Sequence, residues 1–193
     1  MTVAEENVLA QESFEVLARH ALRVEEAPWL EFVNGKPVSK VRWGGTRGRI
    51  IEWLTRLCLR TAPGNWLFAA QGLHVGSCHR GNARPDGVLA PLDTFVGQGE
   101  WADPAGVLMV VEVTSYDEDT DRRDRVEKPR AYAETGIPVH LLIDRDTCEV
   151  KVHSQADGVR YEQVVTVPYG KTVELPEPVG IELETEPLKN WVR

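Results

Sequence analysis

Val107 to Ser115 reads VLMVVEVTS, an apolar run broken by one carboxylate, Glu112. Its length and its valines fit a buried β-strand and are too short for a buried helix. A lone carboxylate in such a strand costs several kcal/mol to strip of water. Glu112 must therefore be protonated, paired with a cation or bound to a metal. The fold has to supply that partner.

The rest of the chain alternates helical and strand patterns around this run. Phe14, Leu17, Ala18, Ala21 and Leu22 recur at helical spacing, which predicts an amphipathic helix over residues 4–25. Asn34-Gly35 lies between two short extended runs, the strongest short signal for a two-residue hairpin. A second helix is expected from Thr46, with Ile50, Ile51, Leu54, Leu57 and Cys58 as its apolar stripe and Pro63-Gly64 as its stop. Short strands follow at WLFAAQ, LHVG and RPDGVLA, then a polar loop over residues 91–106. The charged run from Tyr116 to Gly136 starts as a loop and becomes a short helix capped by Gly136. IPVHLLID is a buried strand, and CEVKVHSQ alternates, with Cys148, Val150 and Val152 on its inner face. Asp157-Gly158 turns it into VRYEQVVTV, and the proline-bearing tail from Pro168 reads as an edge strand or a wrapped loop. Helix, hairpin, helix, strands, helix, strands is an α/β or α+β pattern, a mixed sheet flanked by helices. No repeat or linker divides it, so residues 1–193 read as one domain, with a helix over 1–26, a core over 27–178 and a tail over 179–193.

Composition narrows the function classes. No apolar run approaches the ~20 residues that cross a bilayer. The N-terminus is acidic and lacks the basic and apolar regions of a signal peptide. The three cysteines, Cys58, Cys78 and Cys148, form no CxxC pair, which fits a reducing cytoplasm better than a disulfide framework. A net charge of −8 excludes nucleic-acid binding through bulk charge, so any such binding needs a local basic patch or a bridging metal.

The second informative carboxylate is Asp86, in ARPDGVL, 26 residues before Glu112. If these two runs are neighbouring strands, the two carboxylates converge, and convergent carboxylates repel unless a cation or a proton lies between them. A divalent ion such as Mg²⁺ relieves that repulsion. The plainer alternative makes Asp86 a turn-capping residue and Glu112 a strand residue with an arginine partner.

RPD, then VVEVTS, then a lysine in DRVEKPRAYAETGIP, then VHLLIDRDTCEVKVH, resembles the Uma2 family, also called DUF820, a branch of the PD-(D/E)xK restriction-endonuclease-like superfamily. The resemblance runs from the FVNGKPV hairpin to about Pro178. It implies a restriction-endonuclease-like mixed central sheet flanked by helices, with additional hairpins. It implies a metal-dependent endonuclease hydrolysing phosphodiester bonds of nucleic acid, DNA before RNA, with Mg²⁺ or Mn²⁺ as cofactor. Asp86 and Glu112 would be the two acids and, with the Val113 carbonyl, the metal ligands. The lysine usually two residues after the acid would fall at 114, where this chain has Thr114; Lys128 on the following helix would take its role.

Several neighbours carry two readings. Asp124 and Lys128 are four apart, so they form either a surface ion pair or part of the site. A helix starting at Pro129 would place Lys128 at its N-terminus. Glu52 is either a supporting helical acid or simply solvent-exposed, and Tyr132 either packs or brings its hydroxyl to the site. Where related sequences carry a histidine, this chain has Arg47 and Arg49, candidate phosphate contacts or a solvated helix face. Asp144 reads as structural, and His74 and His79 lack partners at metal spacing. Related nucleases often act as dimers, for which Trp29, Trp43 and Trp101 are candidate interface aromatics. The competing function is a catalytically inactive nuclease-fold protein that binds a partner or nucleic acid; a third is a small-molecule hydrolase using the same acids.

Overall fold

The structure, a computed structural model, describes residues 3–25, 27–40, 42, 44–77, 80–114 and 123–192, the first seven of these by backbone alone. Trp43, Cys78, His79 and the first part of the charged run, 115–122, lie outside the described residues.

Helix α1 (Val3–Ala21) leads into the hairpin β1 (Trp29–Val33) and β2 (Lys36–Lys40). Asn34 and Gly35 both have positive φ, 53° and 74°, as a two-residue turn of this hand requires. Helix α2 (Gly45–Thr61) follows, then β3 (Asn65–Ala69), β4 (Gly72–Val75), β5 (Gly81–Ala83), β6 (Gly87–Pro91), β7 (Trp101–Ala102) and β8 (Met109–Val113). A π-helical turn (Arg123–Glu127) runs straight into α3 (Lys128–Thr135). The chain ends with β9 (Val139–Asp144), β10 (Glu149–Ala156), β11 (Tyr161–Pro168), β12 (Thr172–Leu175), β13 (Ile181–Glu184) and a 3-10 turn (Glu186–Trp191).

Two sheets carry the architecture. The larger has the order β11-β10-β9-β8-β6-β3, with β8 and β9 parallel and the other neighbours antiparallel. The smaller has the order β2-β1-β5-β4-β7. The mixed sheet flanked by helices that the sequence predicts is present. Strand alternation decides what each face touches. Met109, Val111 and Val113 of β8 pack with Ile50, Leu54 and Cys58 of α2 and with the β12–β13 hairpin. Val110 points the other way, into a cluster with Ala131 and Tyr132 of α3 and with Leu73, Val75 and Ala83 of the smaller sheet. Glu112 and, one strand over, Asp86 share the parity of Val110 and Val88 and so face this second side.

Four expectations are corrected by this arrangement. Helix α1 stops at Ala21 rather than at residue 25, and Leu17 and Leu22 of the proposed stripe are exposed. Among its described side chains, Phe14 and Ala18 are buried against the body, Phe14 stacking on Phe32 at 5.3 Å and lying 5.9 Å from Trp101. That contact buries Trp101, which is therefore not an exposed interface residue, and Trp29 is half-buried with Arg84 over its ring. Cys148 is exposed rather than internal, because it sits in the turn before β10 with φ of 55°. The tail is more regular than expected, a two-stranded hairpin whose Val173, Leu175, Ile181 and Leu183 complete the α2-side core. Among the described residues no helix is long and apolar enough to cross a membrane.

The contrast between α1 and α2 gives a direct stability test. Leu54→Ala, in a fully buried position, should lower the unfolding free energy by about 3 kcal/mol in urea titration. Leu17→Ala, on the exposed side of α1, should change it by less than about 0.5 kcal/mol.

Candidate active site

Antiparallel pairing of β6 and β8 sets Gly87 opposite Val111, so Asp86 and Glu112, one residue beyond each, face one another. Asp86 is locked by the backbone: its Oδ2 accepts the N–H of Val113 at 2.8 Å. Glu112 answers the question raised by its strand. Its Oε1 accepts from the Lys128 ammonium at 2.9 Å and from the Tyr132 hydroxyl at 2.6 Å. Its Oε2 accepts from the Lys40 ammonium at 3.0 Å. Two lysines and a phenol therefore compensate the buried carboxylate.

Lys128 is the hub. Its Nζ lies 2.9 Å from Glu112, 2.9 Å from Glu31 and 3.3 Å from Asp124. Lys40 Nζ lies 2.9 Å from Asp86 Oδ1 and donates to the Arg84 carbonyl at 2.6 Å. Arg47 Nε is 3.6 Å from Asp86, and Arg123 Nε is 3.6 Å from Glu31. The cluster thus holds four carboxylates, Glu31, Asp86, Glu112 and Asp124, against four cations, Lys40, Arg47, Arg123 and Lys128. Glu31, Asp86, Glu112 and Lys128 are wholly buried. Lys40, at 3% exposure, sits between two of them, and Arg47 and Arg123, at 6% and 7%, form a thin cationic rim.

Electrostatics fixes the charge states. Burial pushes the Glu112 carboxyl up, but Lys128 and Lys40, with Tyr132, outweigh it and hold it well below the usual carboxylate range. Burial presses the Lys128 ammonium down, but Asp124, Glu112 and Glu31 raise it well above the ordinary lysine value. Burial lifts Asp124 to about 6 against the pull of Lys128, with Glu112 beside it adding to the rise. Burial, with the Glu112 charge, keeps the Tyr132 phenol protonated far above its usual range.

The structure brings Asp86, Glu112, Lys128, Asp124, Tyr132 and Arg47 into one cluster. The reading of Asp124 and Lys128 as a surface pair is overturned, since both are buried. Lys128 is the first residue of α3, one before the expected start at Pro129, and the π-helical turn runs directly into it. Two candidates fall away. Glu52 is exposed on α2 and pairs only along its own helix, with Arg49 at 3.0 Å and with Arg56. Arg49 lies with Glu52 and over the Trp191 ring, 5.1 Å from its centroid, far from the acids in its contacts. Thr114 acts elsewhere. Its Oγ1 accepts the N–H of Arg145 at 2.9 Å, tying β8 to the turn after β9.

Glu31, Lys40 and Arg123 escaped the sequence reading. Glu31 had a signal, a carboxylate inside the apolar run WLEFV, the same anomaly as Glu112. Lys40 had none, because a lysine in KPVSK reads as solvated edge-strand polarity. Asp144 is structural, as its turn position predicted. Arg125 forks onto it with Nε and Nη2 both at 2.8 Å, which pins the π-helical turn and hence Lys128 to the end of β9. His74 is hydrogen-bonded to Gln11 at 3.3 Å and lies near Glu15 rather than any metal-ligand set.

One face of the mixed sheet thus presents two facing acids with a lysine beside them. The fold superposes on a solved structure described as "a putative nuclease belonging to DUF820 from Anabaena variabilis ATCC 29413", with a TM-score of 0.66 and 16% identity over 89% of this chain and 96% of that one. The Uma2 family model, described as "Putative restriction endonuclease", matches residues 12–186, and the chain belongs to that family. No curated protein matches.

Two measurements test these charge assignments. Lys128→Met leaves Glu31, Glu112 and Asp124 without their shared cation and should cost about 3–5 kcal/mol in denaturant unfolding, against about 2 kcal/mol for Tyr132→Phe. For Asp144, burial opposes ionisation but Arg125 and the Thr147 N–H prevail and hold the carboxyl at about 2 rather than 3.8. A depressed acid stabilises above its unfolded value and loses that contribution as pH falls. Stability should therefore drop between about pH 4 and pH 2 in thermal melts, and Asp144→Asn should flatten that drop.

Proposed function

We propose that this chain is an endonuclease that hydrolyses phosphodiester bonds of nucleic acid, DNA before RNA, at the centre formed by Asp86, Glu112 and Lys128. One observation carries the reading. Scattered along the sequence, the two acids face each other across the Lys40 ammonium and Glu112 pairs with Lys128. Nucleases of this class work with a divalent ion, Mg²⁺ or Mn²⁺. The Lys40 ammonium tests the donor set as a stand-in cation: at 2.9 Å from Asp86 and 3.0 Å from Glu112, it marks a point that both carboxylates can address. Asp86, Glu112 and the Val113 carbonyl would hold the ion, which when bound polarises a phosphate and acidifies a water.

The chain's own residues supply the rest. Lys128, held by three carboxylates, is aimed by them and would place its positive charge against the phosphate oxygens as negative charge builds there. Arg47 and Arg123, at the rim, would take the flanking phosphates, and Arg47 already points at Asp86. This rim meets the demand set by a net charge of −8, that any nucleic-acid contact be local. A homodimer, one centre per strand of a duplex, is the assembly that goes with this reading. So does a cytoplasmic setting, with Cys58 and Cys148 as free thiols.

A second reading, a nuclease-fold protein that binds nucleic acid or a partner without cutting, is favoured by the Lys40 ammonium at the cation point and the even balance of charge around it. Incubation with plasmid, linear duplex, single-stranded DNA and RNA in Mg²⁺ or Mn²⁺ separates the two. Wild type should cut at least one substrate, and folded Asp86→Asn and Glu112→Gln should each lose roughly two orders of magnitude or more in rate. No cutting of any substrate by wild type removes the enzyme reading, and a gel shift on the same substrates then decides for binding.

A further inference from the structure

Lys40 has no place in the scheme of two acids and one helical lysine, yet it sits between the two acids. Its ammonium has three protons, and three acceptors surround it: the Arg84 carbonyl at 2.6 Å, Asp86 at 2.9 Å and Glu112 at 3.0 Å. It occupies the one point near-equidistant from both acids. A Mg²⁺ ion needs its oxygens at about 2.1 Å. An ammonium and a divalent ion at the same point would nearly coincide, so they exclude each other.

The strand that delivers Lys40 differs from the elements that deliver the acids. Asp86 and Glu112 come from the interior of the larger sheet, whereas β2 is an edge strand of the smaller sheet and pairs with β1 alone. Of its five residues only Lys40 is buried. Withdrawing this side chain toward the rim therefore costs the centre its hydrogen bonds but leaves both apolar clusters untouched, since β2 contributes to neither.

We propose that Lys40 is a built-in plug for the cation position of the centre, so that a divalent ion reaches Asp86 and Glu112 only when the Lys40 ammonium leaves. This inference rests on the reading of those two acids as the metal ligands. It gives the centre two charge states. In one, the ammonium fills the point and the four carboxylates are balanced from within. In the other, a divalent ion takes the point and Lys40 joins Arg47 and Arg123 at the rim. The free protein should then hold divalent ions weakly, and removing the ammonium should convert a balanced site into a metal site.

The test reads metal binding, not cleavage. Mn²⁺ is titrated by calorimetry and by thermal melts into wild type, Lys40→Met and the double variant Lys40→Met/Asp86→Asn, all first stripped with chelator. Lys40→Met should melt below wild type without metal, regain stability with Mn²⁺, and bind one ion on the order of 100-fold more tightly than wild type. The double variant should lose that site. Equal Mn²⁺ affinity in wild type and Lys40→Met overturns the proposal. So does a Lys40→Met chain that Mn²⁺ neither stabilises nor refolds, or tight binding that survives in the double variant. Because cleavage is not the readout, a wild type that cuts nothing while Lys40→Met gains the site defeats the nuclease reading alone. A wild type that cuts while Lys40→Met gains nothing defeats the plug alone.

Discussion

The ion pair between Lys128 and Glu112, 2.9 Å long and wholly buried, is the interaction on which the rest of the centre depends. Neither charge survives without the other in that setting, because an unpaired buried ion costs several kcal/mol. Around this pair the chain has placed Glu31, Asp124, Lys40, Asp86, Arg47 and Arg123, each facing an opposite charge. The result joins β1 and β2 of one sheet to the ends of β6 and β8 of the other and to α3. Elements with little apolar contact of their own, β2 above all, are fastened through it.

The pairing also fixes protonation. Glu112 is driven down and Lys128 up by the same contact, so both stay ionised through the neutral range. Burial and the Glu112 charge hold the Tyr132 phenol protonated, so it stays a hydrogen-bond donor to Glu112. The site is also selective about charge. In a chain of net charge −8, Arg47 and Arg123 gather positive charge beside these carboxylates.

Local contacts explain how the lysine of this pair arrives. Thr114, two residues after Glu112, is tied up elsewhere, its hydroxyl accepting the Arg145 N–H. Lys128 reaches Glu112 from α3, where the Arg125–Asp144 fork fixes the start of the helix. Arg47, at the start of α2, brings its Nε to 3.6 Å from Asp86 and so offsets that carboxylate's charge.

Local pattern determined much of this protein. The Asn34-Gly35 hairpin, the stripe of α2, the buried runs of β8 and β9, and the Gly136 cap all follow from period and turn chemistry and stand where the sequence puts them. The anomaly of Glu112 determined that a partner must exist. The sequence alone did not determine which partner, because that depends on sheet order and register. Lys40 lies 72 residues from Glu112, on a strand of another sheet, and nothing in KPVSK marks it as internal. Likewise the burial of Trp101 and the exposure of Leu17 came from how α1 meets the body, and Glu52 was excluded by the face of α2 it occupies. Charge compensation is a long-range condition: it was demanded by one residue and met by others that only the tertiary structure brings within 3 Å.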